Sequence, residues 1–236
     1  MTATRIAFLD VALWWALFTL PVFRRVAEPV PTVEPPGWKE LWATIRKVLA
    51  DDTVRGFLIA YWLYIDGIST LQQMAVDFGA KLGLPTSALI QALLLVQFIA
   101  FPSALVFGRL GDRIGARRAI LIGLAVFVFV TGWALFLKTT WQFYVLAVLV
   151  GLVQGGVQSL SRSLFSRLIP RERSGEYFGF YNMLGKFAAV LGPLLVGATA
   201  ALSGSSRIGV SSLVLLFVAG AALLWRVREP RFDQPA

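Results

Sequence analysis

Seven runs of apolar residues, each close to the length that crosses a lipid bilayer, constrain this chain more than any other feature. They lie near 6–23, 55–78, 88–107, 119–137, 141–163, 177–201 and 208–226. A helix rises 1.5 Å per residue, so about 20 apolar residues cover the roughly 30 Å hydrocarbon core. Backbone N–H and C=O groups find no water there, which leaves helices and closed barrels as the spanning forms. These runs are too long and too continuously apolar for barrel strands, whose residues alternate in polarity. The expectation is an all-α integral membrane protein with seven transmembrane helices.

Composition agrees: 57% of residues are hydrophobic, 15% are charged, and the mean hydropathy is +0.72. Soluble domains are rarely so apolar. There is no Cys and no His, which excludes disulfides, thiolate or imidazole metal sites and a His-based triad. The sequence offers no paired nucleophile and base, so it does not read as an enzyme, and it calls for no cofactor. A net charge of +9 would suit nucleic acid, but the basic residues sit in short turns between apolar runs rather than on one polar domain. No nucleic-acid partner is expected; the lipid bilayer is.

The same charges set topology, because short cytoplasmic loops carry the excess of Lys and Arg. Segments 24–55, 108–118, 162–173 and 226–231 hold 17 of the 22 basic residues. The opposite side holds Arg5, Lys81, Lys138 and Arg207, and Lys186 falls inside a run. The C-terminus is therefore expected in the cytoplasm and, with seven crossings, Met1 outside. No organelle-targeting segment is evident, and a prokaryotic plasma membrane is the simplest home.

The first run differs from a cleaved signal peptide: Asp10 interrupts it, Arg24 and Arg25 end it, and no small-residue cleavage pattern follows. It reads as a spanning helix over 1–23. Residues 24–54 begin with Pro29, Pro31, Pro35 and Pro36, which predict an extended linker. Then Trp38, Leu41, Trp42, Ile45 and Leu49 recur at helical spacing opposite Lys39, Arg46 and Lys47. This describes an amphipathic helix, lying at the cytoplasmic interface or packed on the membrane domain. Residues 55–226 hold six runs, and 227–236 form a short tail.

Between the third and fourth runs stand Gly108, Arg109, Leu110, Asp112, Arg113, Gly115, Arg117 and Arg118. The pattern Gly-x-Leu-x-Asp-Arg-x-Gly-x-Arg-Arg resembles the loop signature of the major facilitator superfamily, between the second and third helices of a six-helix half. Residues 151–170, with Gly151, Gln154, Gly155, Gly156, Gln158, Ser161 and Arg162, narrow the match. So do residues 177–193, with Tyr177, Gly179, Tyr181, Asn182, Gly185, Lys186, Gly192 and Pro193. Both are similar to the C-terminal half of the vacuole-effluxer-like branch, whose eukaryotic members are autophagy-related vacuolar amino-acid effluxers. Trp14-Trp15 and the run from Phe18 to Phe23 look like that branch's sixth helix.

The resemblance implies a fold made of the last helix of an N-terminal half plus a complete six-helix C-terminal half. It also implies secondary active transport of a small solute by alternating access, which rocks one half against the other. Five helices expected before residue 1 are absent from the sequence. A separately encoded N-terminal half is one expectation; a truncated, non-transporting fragment or assembly partner is the other. The loop residues Gly108, Asp112, Arg113, Gly115, Arg117 and Arg118 would form a cytoplasmic gate, Asp112 meeting a helix N-terminus or an arginine. Alternatively, the arginines only keep the loop inside.

Substrate and coupling chemistry must come from polar groups at membrane depth, where an ionisable residue is costly unless paired or hydrated. Asp66 lies about ten residues into its run and shares a helical face with Ser69, Thr70, Gln73 and Asp77. It could couple a proton or sodium ion, or form a structural contact. Lys186, one turn beyond Asn182, lies at similar depth and could pair with Asp66, attract a substrate carboxylate or snorkel to the interface. Gln154, Gln158, Ser161 and Arg162 fall on one face of another run, to bond substrate or to join helices. Arg162 lies nearest the cytoplasmic end and suits an interfacial role. No Gly-x-x-x-x-Gly-Lys-Ser/Thr phosphate loop is present, so an ion gradient rather than ATP is the expected energy source.

Overall fold

The computed structural model describes residues 2–25, 38–170 and 173–227, and among them every regular element is helical. The proline-rich stretch, the side chains of Trp38, Lys39 and Leu41, and the expected tail lie outside the described residues. The chain divides into two units, Met1–Leu41 and Trp42–Ala236.

In the first unit, α1 (Thr2–Arg25) runs for 24 residues, about 36 Å at 1.5 Å per residue. Its apolar residues run right round the helix, as in a membrane span, with Asp10 the charge inside the run. Pro21 falls near its end, and Arg24 and Arg25 occupy the last turn, where cations complement the helix dipole.

The second unit begins within α2 (Trp38–Ala50). The α3 helix (Asp52–Lys81) opens on Asp51, whose carboxylate accepts from the Thr53 and Val54 N–H groups at 2.8 and 3.0 Å. Next come α4 (Thr86–Ile114), α5 (Ala116–Trp133) with a 3-10 turn at Ala134–Phe136, and α6 (Thr140–Leu168). A capping box between Thr139 and Gln142 starts α6. The last two runs each divide, into α7 (Ser174–Phe187) and α8 (Leu191–Ser203), then α9 (Ser206–Ser211) and α10 (Val214–Arg226).

Among the described residues, six segments are long and apolar enough to cross a membrane: Arg5–Arg25, Thr86–Ile114, Ala116–Phe136, Thr140–Leu168, Ser174–Ser203 and Ser206–Arg226. The expected span at 55–78 is the exception. Its helix α3 has ample length at 30 residues, but Asp66, Ser69, Thr70, Gln72 and Gln73 dilute its apolarity. Packing explains why that is tolerated. The α3 helix lies against α10 and touches α4, α6, α7, α8 and α9, so Phe57, Tyr64, Asp66, Ile68 and Thr70 are sealed by protein.

Small residues permit the closest approaches, as expected where lipid removes the hydrophobic drive between helices. The most extensive pairing joins α4 and α6. There a Cβ on Gly151 would stand 3.0 Å from the Val96 carbonyl oxygen, and one on Gly155 2.6 Å from that of Ala100. Ser103 donates across the same seam to the Leu152 carbonyl. On the other side of α3, a Cβ on Gly220 would meet the Ala60 carbonyl oxygen at 3.2 Å, while Phe127 and Phe217 stack at 5.1 Å.

Gly155→Val should therefore pry α4 from α6 and cost roughly 1–3 kcal/mol, the usual range for overpacking. Gly197 is the contrast, because a Cβ added there would meet nothing within 4 Å. Gly197→Ala should leave stability unchanged or raise it. Denaturant titration of the detergent-solubilised chain distinguishes the two.

Candidate functional site

Residues Ala188, Ala189 and Val190 interrupt the run that begins at Ser174, so α8 starts afresh within the membrane segment. A fresh start leaves first-turn N–H groups without intrahelical acceptors. Asp66, midway along α3, supplies them. Its carboxylate accepts from Leu191 N at 2.9 Å and from Gly192 N at 3.0 Å. Pro193 has no N–H to satisfy, and Leu194 N already bonds the Val190 carbonyl at 3.3 Å. Thr70 completes the arrangement by donating to Asp66 Oδ1 at 3.2 Å. The carboxylate has no exposed surface. Two backbone donors and the positive end of a helix dipole offset the cost of burying it.

The close fit depends on Gly192. A Cβ there would run into Thr70 Oγ1 and stand 2.8 Å from Asp66 Oδ1. The expected Asp66–Lys186 ion pair is not formed: the salt bridges among the described residues are Arg55–Asp52 at 2.6 Å and Lys81–Asp77 at 2.8 Å. Lys186 and Asn182 are exposed on α7. The polar stripe of α3 is split as well, Asp66 and Thr70 lying inside, Gln73 and Asp77 outside.

A cavity of about 520 Å³ opens beside this region, between α3, α4, α5, α6, α8 and α9. Its wall is mostly apolar and carries Gln72, Gln97, Gln154 and Gln158 with no charged side chain. The lining begins at the ends of α4 and α6 remote from the basic loops and reaches inward to Gln154 and Gln158. Gln154 is 9% exposed, and its Oε1 is buried with no hydrogen-bond partner among the described residues. Gln158 is half-buried one turn further on. The α3 and α6 helices are joined nearer the basic side, where Tyr64 Oη and Ser161 Oγ lie 2.6 Å apart and Tyr61, Phe165 and Tyr181 stack.

The glycine- and arginine-rich motif is not a loop. Residues 108–114 are the last two turns of α4, and Gly115 alone joins that helix to α5. With φ of 91° and ψ of 142°, Gly115 holds a conformation that a Cβ would strain. Gly111 packs directly on Leu160 of α6, whereas Gly108 has open space. Arg117, in the first turn of α5, donates to the Val227 carbonyl at 2.7 Å and the Trp225 carbonyl at 3.3 Å, and its guanidinium lies 6.0 Å from the Trp225 ring. It thereby caps the far end of α10. Asp112, Arg113 and Arg118 are exposed, as is Arg162, and Asp112 takes part in neither of the two salt bridges.

Of the residues singled out from the sequence, Gln154 and Gln158 line the cavity and Asp66 meets the start of α8; the backbone donors of Leu191 and Gly192 and the amides of Gln72 and Gln97 are not among them. An amide well inside an apolar run is the signal that marks Gln97, although Gln91 of the same run carries it too and instead accepts from Tyr144 Oη at 2.6 Å. Gly192-Pro193 after a small-residue stretch is the signal that marks the helix break.

A helical bundle with a run broken beside a buried carboxylate, and a mostly apolar cavity carrying four uncharged amides alongside, is the architecture of a polytopic membrane protein. Residues 1–234 match the family described as "Vacuole effluxer Atg22 like", and the chain belongs to it. It is 38% identical over 232 residues to an "Uncharacterized MFS-type transporter YxiO" of Bacillus subtilis (strain 168), covering 96% of this chain and 54% of that protein. It is 31% identical over 234 residues to "Autophagy-related protein 22" of Yarrowia lipolytica, covering 82% and 39%. "Autophagy-related protein 22-2" of Emericella nidulans is 28% identical over 268 residues, covering 98% and 45%. The chain spans about half the length of the curated relatives it matches.

If Asp66 holds the start of α8, Asp66→Ala should release the Leu191 and Gly192 amides. Loss of a cap is worth about 1 kcal/mol, so their hydrogen exchange should quicken roughly five- to tenfold. Gly192→Ala should do the same by displacing Asp66 and Thr70. Exchange in nanodiscs followed by mass spectrometry tests this, with α6 amides as the control; unchanged protection in both variants would refute the cap.

Proposed function

We propose that this chain supplies the C-terminal six-helix half of a major-facilitator-type secondary active transporter for a small solute. The observation that carries the reading is the α7–α8 break, with Asp66 bonded to the N-terminal N–H groups of α8. Half-length helices whose ends meet polar groups at mid-membrane are how transporters of several folds build solute and ion sites. The likeness to an MFS-type transporter over 96% of this chain supports the same reading.

Alternating access requires a second half, contributed by sequence outside these 236 residues, either in the same polypeptide or in a separately encoded one. The exposed Asn182 and Lys186 on α7 would face it, and Lys186 would hold a solute carboxylate, as amino-acid efflux demands. Asp112 and Arg113, exposed at the end of α4, would meet its cytoplasmic helix ends as a gate. The coupling ion, a proton or sodium, would act at Asp66: by neutralising or competing for the carboxylate it would loosen the start of α8 and let the half rock. The chain would span a prokaryotic plasma membrane with its C-terminus in the cytoplasm, an orientation supported by the excess of Lys and Arg in the turns on that side.

The chain fused behind the part of the Bacillus subtilis relative that it does not match, and reconstituted in vesicles, should accumulate a labelled amino acid under an imposed proton or sodium gradient. Asp66→Asn should reduce gradient-driven accumulation to the level of empty vesicles while leaving solute exchange measurable. Absence of flux for every amino acid under both gradients would overturn the transport reading. Driven accumulation by Asp66→Asn equal to the unmodified chain would overturn the coupling role.

A further inference from the structure

The cavity at the side remote from the basic loops holds more chemistry than a wall for water needs. Its four carboxamides are Gln72 from α3, Gln97 from α4, and Gln154 and Gln158 from α6. They converge on one space from three helices. Arg207 on α9 is not part of the lining; its Nη2 donates to the carbonyl of Leu137, a lining residue, at 3.0 Å, and its Nε is buried with no partner among the described residues. An ionised group brought here would lose hydration and meet no opposite charge among the lining side chains, which favours an uncharged occupant.

Gln154 gives the cavity a preference beyond polarity. Its amide is nine-tenths buried, yet it makes no hydrogen bond among the described residues, and its Oε1 is sealed from solvent. Native interiors seldom leave such a group unpaired, and those they do leave are often functional. With that oxygen sealed, what the side chain can offer a molecule in the cavity is its Nε2 donor, whose complement is an uncharged acceptor such as a carbonyl oxygen. The space, about 520 Å³, lies within the range of small-molecule sites.

We infer that this cavity is a binding site for an uncharged, apolar-bodied group carrying a carbonyl acceptor, such as a carboxamide, and that Gln154 donates its Nε2 to that acceptor. This deepens the transport reading and rests on it only in naming the group as part of the solute. An amino-acid solute would place its neutral side chain here and keep its charged end outside, toward α7. Apolar side chains of Val150, Phe143 and Leu146 supply the contact area, and the amides supply selection.

Equilibrium binding to the full chain in nanodiscs tests the site, with protein-free discs as the blank. The probes are phenylbutanamide, its carboxylate and ammonium isosteres phenylbutanoate and phenylbutylamine, and the apolar butylbenzene. The amide should be retained about tenfold more tightly than the other three, as a site built for hydrogen bonding discriminates. Gln154→Leu, which keeps the volume and removes the amide, should erase that preference while butylbenzene binding persists. Equal retention of the charged isosteres or of butylbenzene by the unmodified chain would overturn the proposal, and so would no retention above blank discs. An unchanged preference in Gln154→Leu would overturn the role of Gln154. Binding requires no turnover, so absent flux in the fused vesicles with this selectivity intact would count against transport and not against the site.

Discussion

A carboxylate and a broken helix each stand where they do because of the other. Asp66, sealed midway along α3, is costly as an isolated charge in a low-dielectric bundle. The free N–H groups of Leu191 and Gly192 are costly too if nothing accepts from them. Joined, they satisfy one another without any cation. The run from Ser174 to Ser203 can therefore stop and restart inside the membrane, and the rest of the site follows from that restart. Pro193 fits because the first turn needs no N–H from it, and Gly192 fits because a side chain would collide with Asp66 and Thr70.

Around that junction, packing is organised by what is missing from glycine. The α6 helix sets Gly151, Gly155 and Gly156 against α4, bringing the two backbones close enough for Ser103 to donate to a carbonyl of the other helix. This seam closes one side of the bundle. Facing α3, the same α6 helix instead presents Gln154 and Gln158, and the helices diverge enough to leave the cavity. Toward the basic side they come together again through Tyr64, Ser161 and the stacked rings of Tyr61, Phe165 and Tyr181. One helix thus carries a packing face and a cavity-facing one, a division made by residue size and hydrogen-bonding capacity.

Much of this is legible in the residues. The apolar runs mark the helices because membrane depth forces a helical backbone, and Gly151 and Gly155, four apart, mark a packing seam because small residues let helices approach. Depth counted along the run also picks out Asp66. Its partner is not legible: Lys186 lies at similar depth, but depth does not give azimuth, and α7 turns that side chain outward. Arginine and glycine at 108–118 suggest a loop because they usually mark one. The segment is nevertheless helical to Ile114, since membrane helices extend past the bilayer with their polar turns solvated, and only Gly115 breaks the pattern.

By itself the sequence determined that this chain is helical and membrane-embedded, how its positive charge is distributed among the turns, and which family it resembles. Those properties are sums over long stretches, and no single contact can reverse them. Tertiary structure decided which polar groups meet. It enclosed α3 despite its polar stripe, gave Asp66 the backbone of α8 instead of Lys186, and brought Gln72 and Gln97 to the same cavity as Gln154. Such pairings depend on how helices rotate and tilt against one another, and that is set by the fit of glycines and rings across many residues at once.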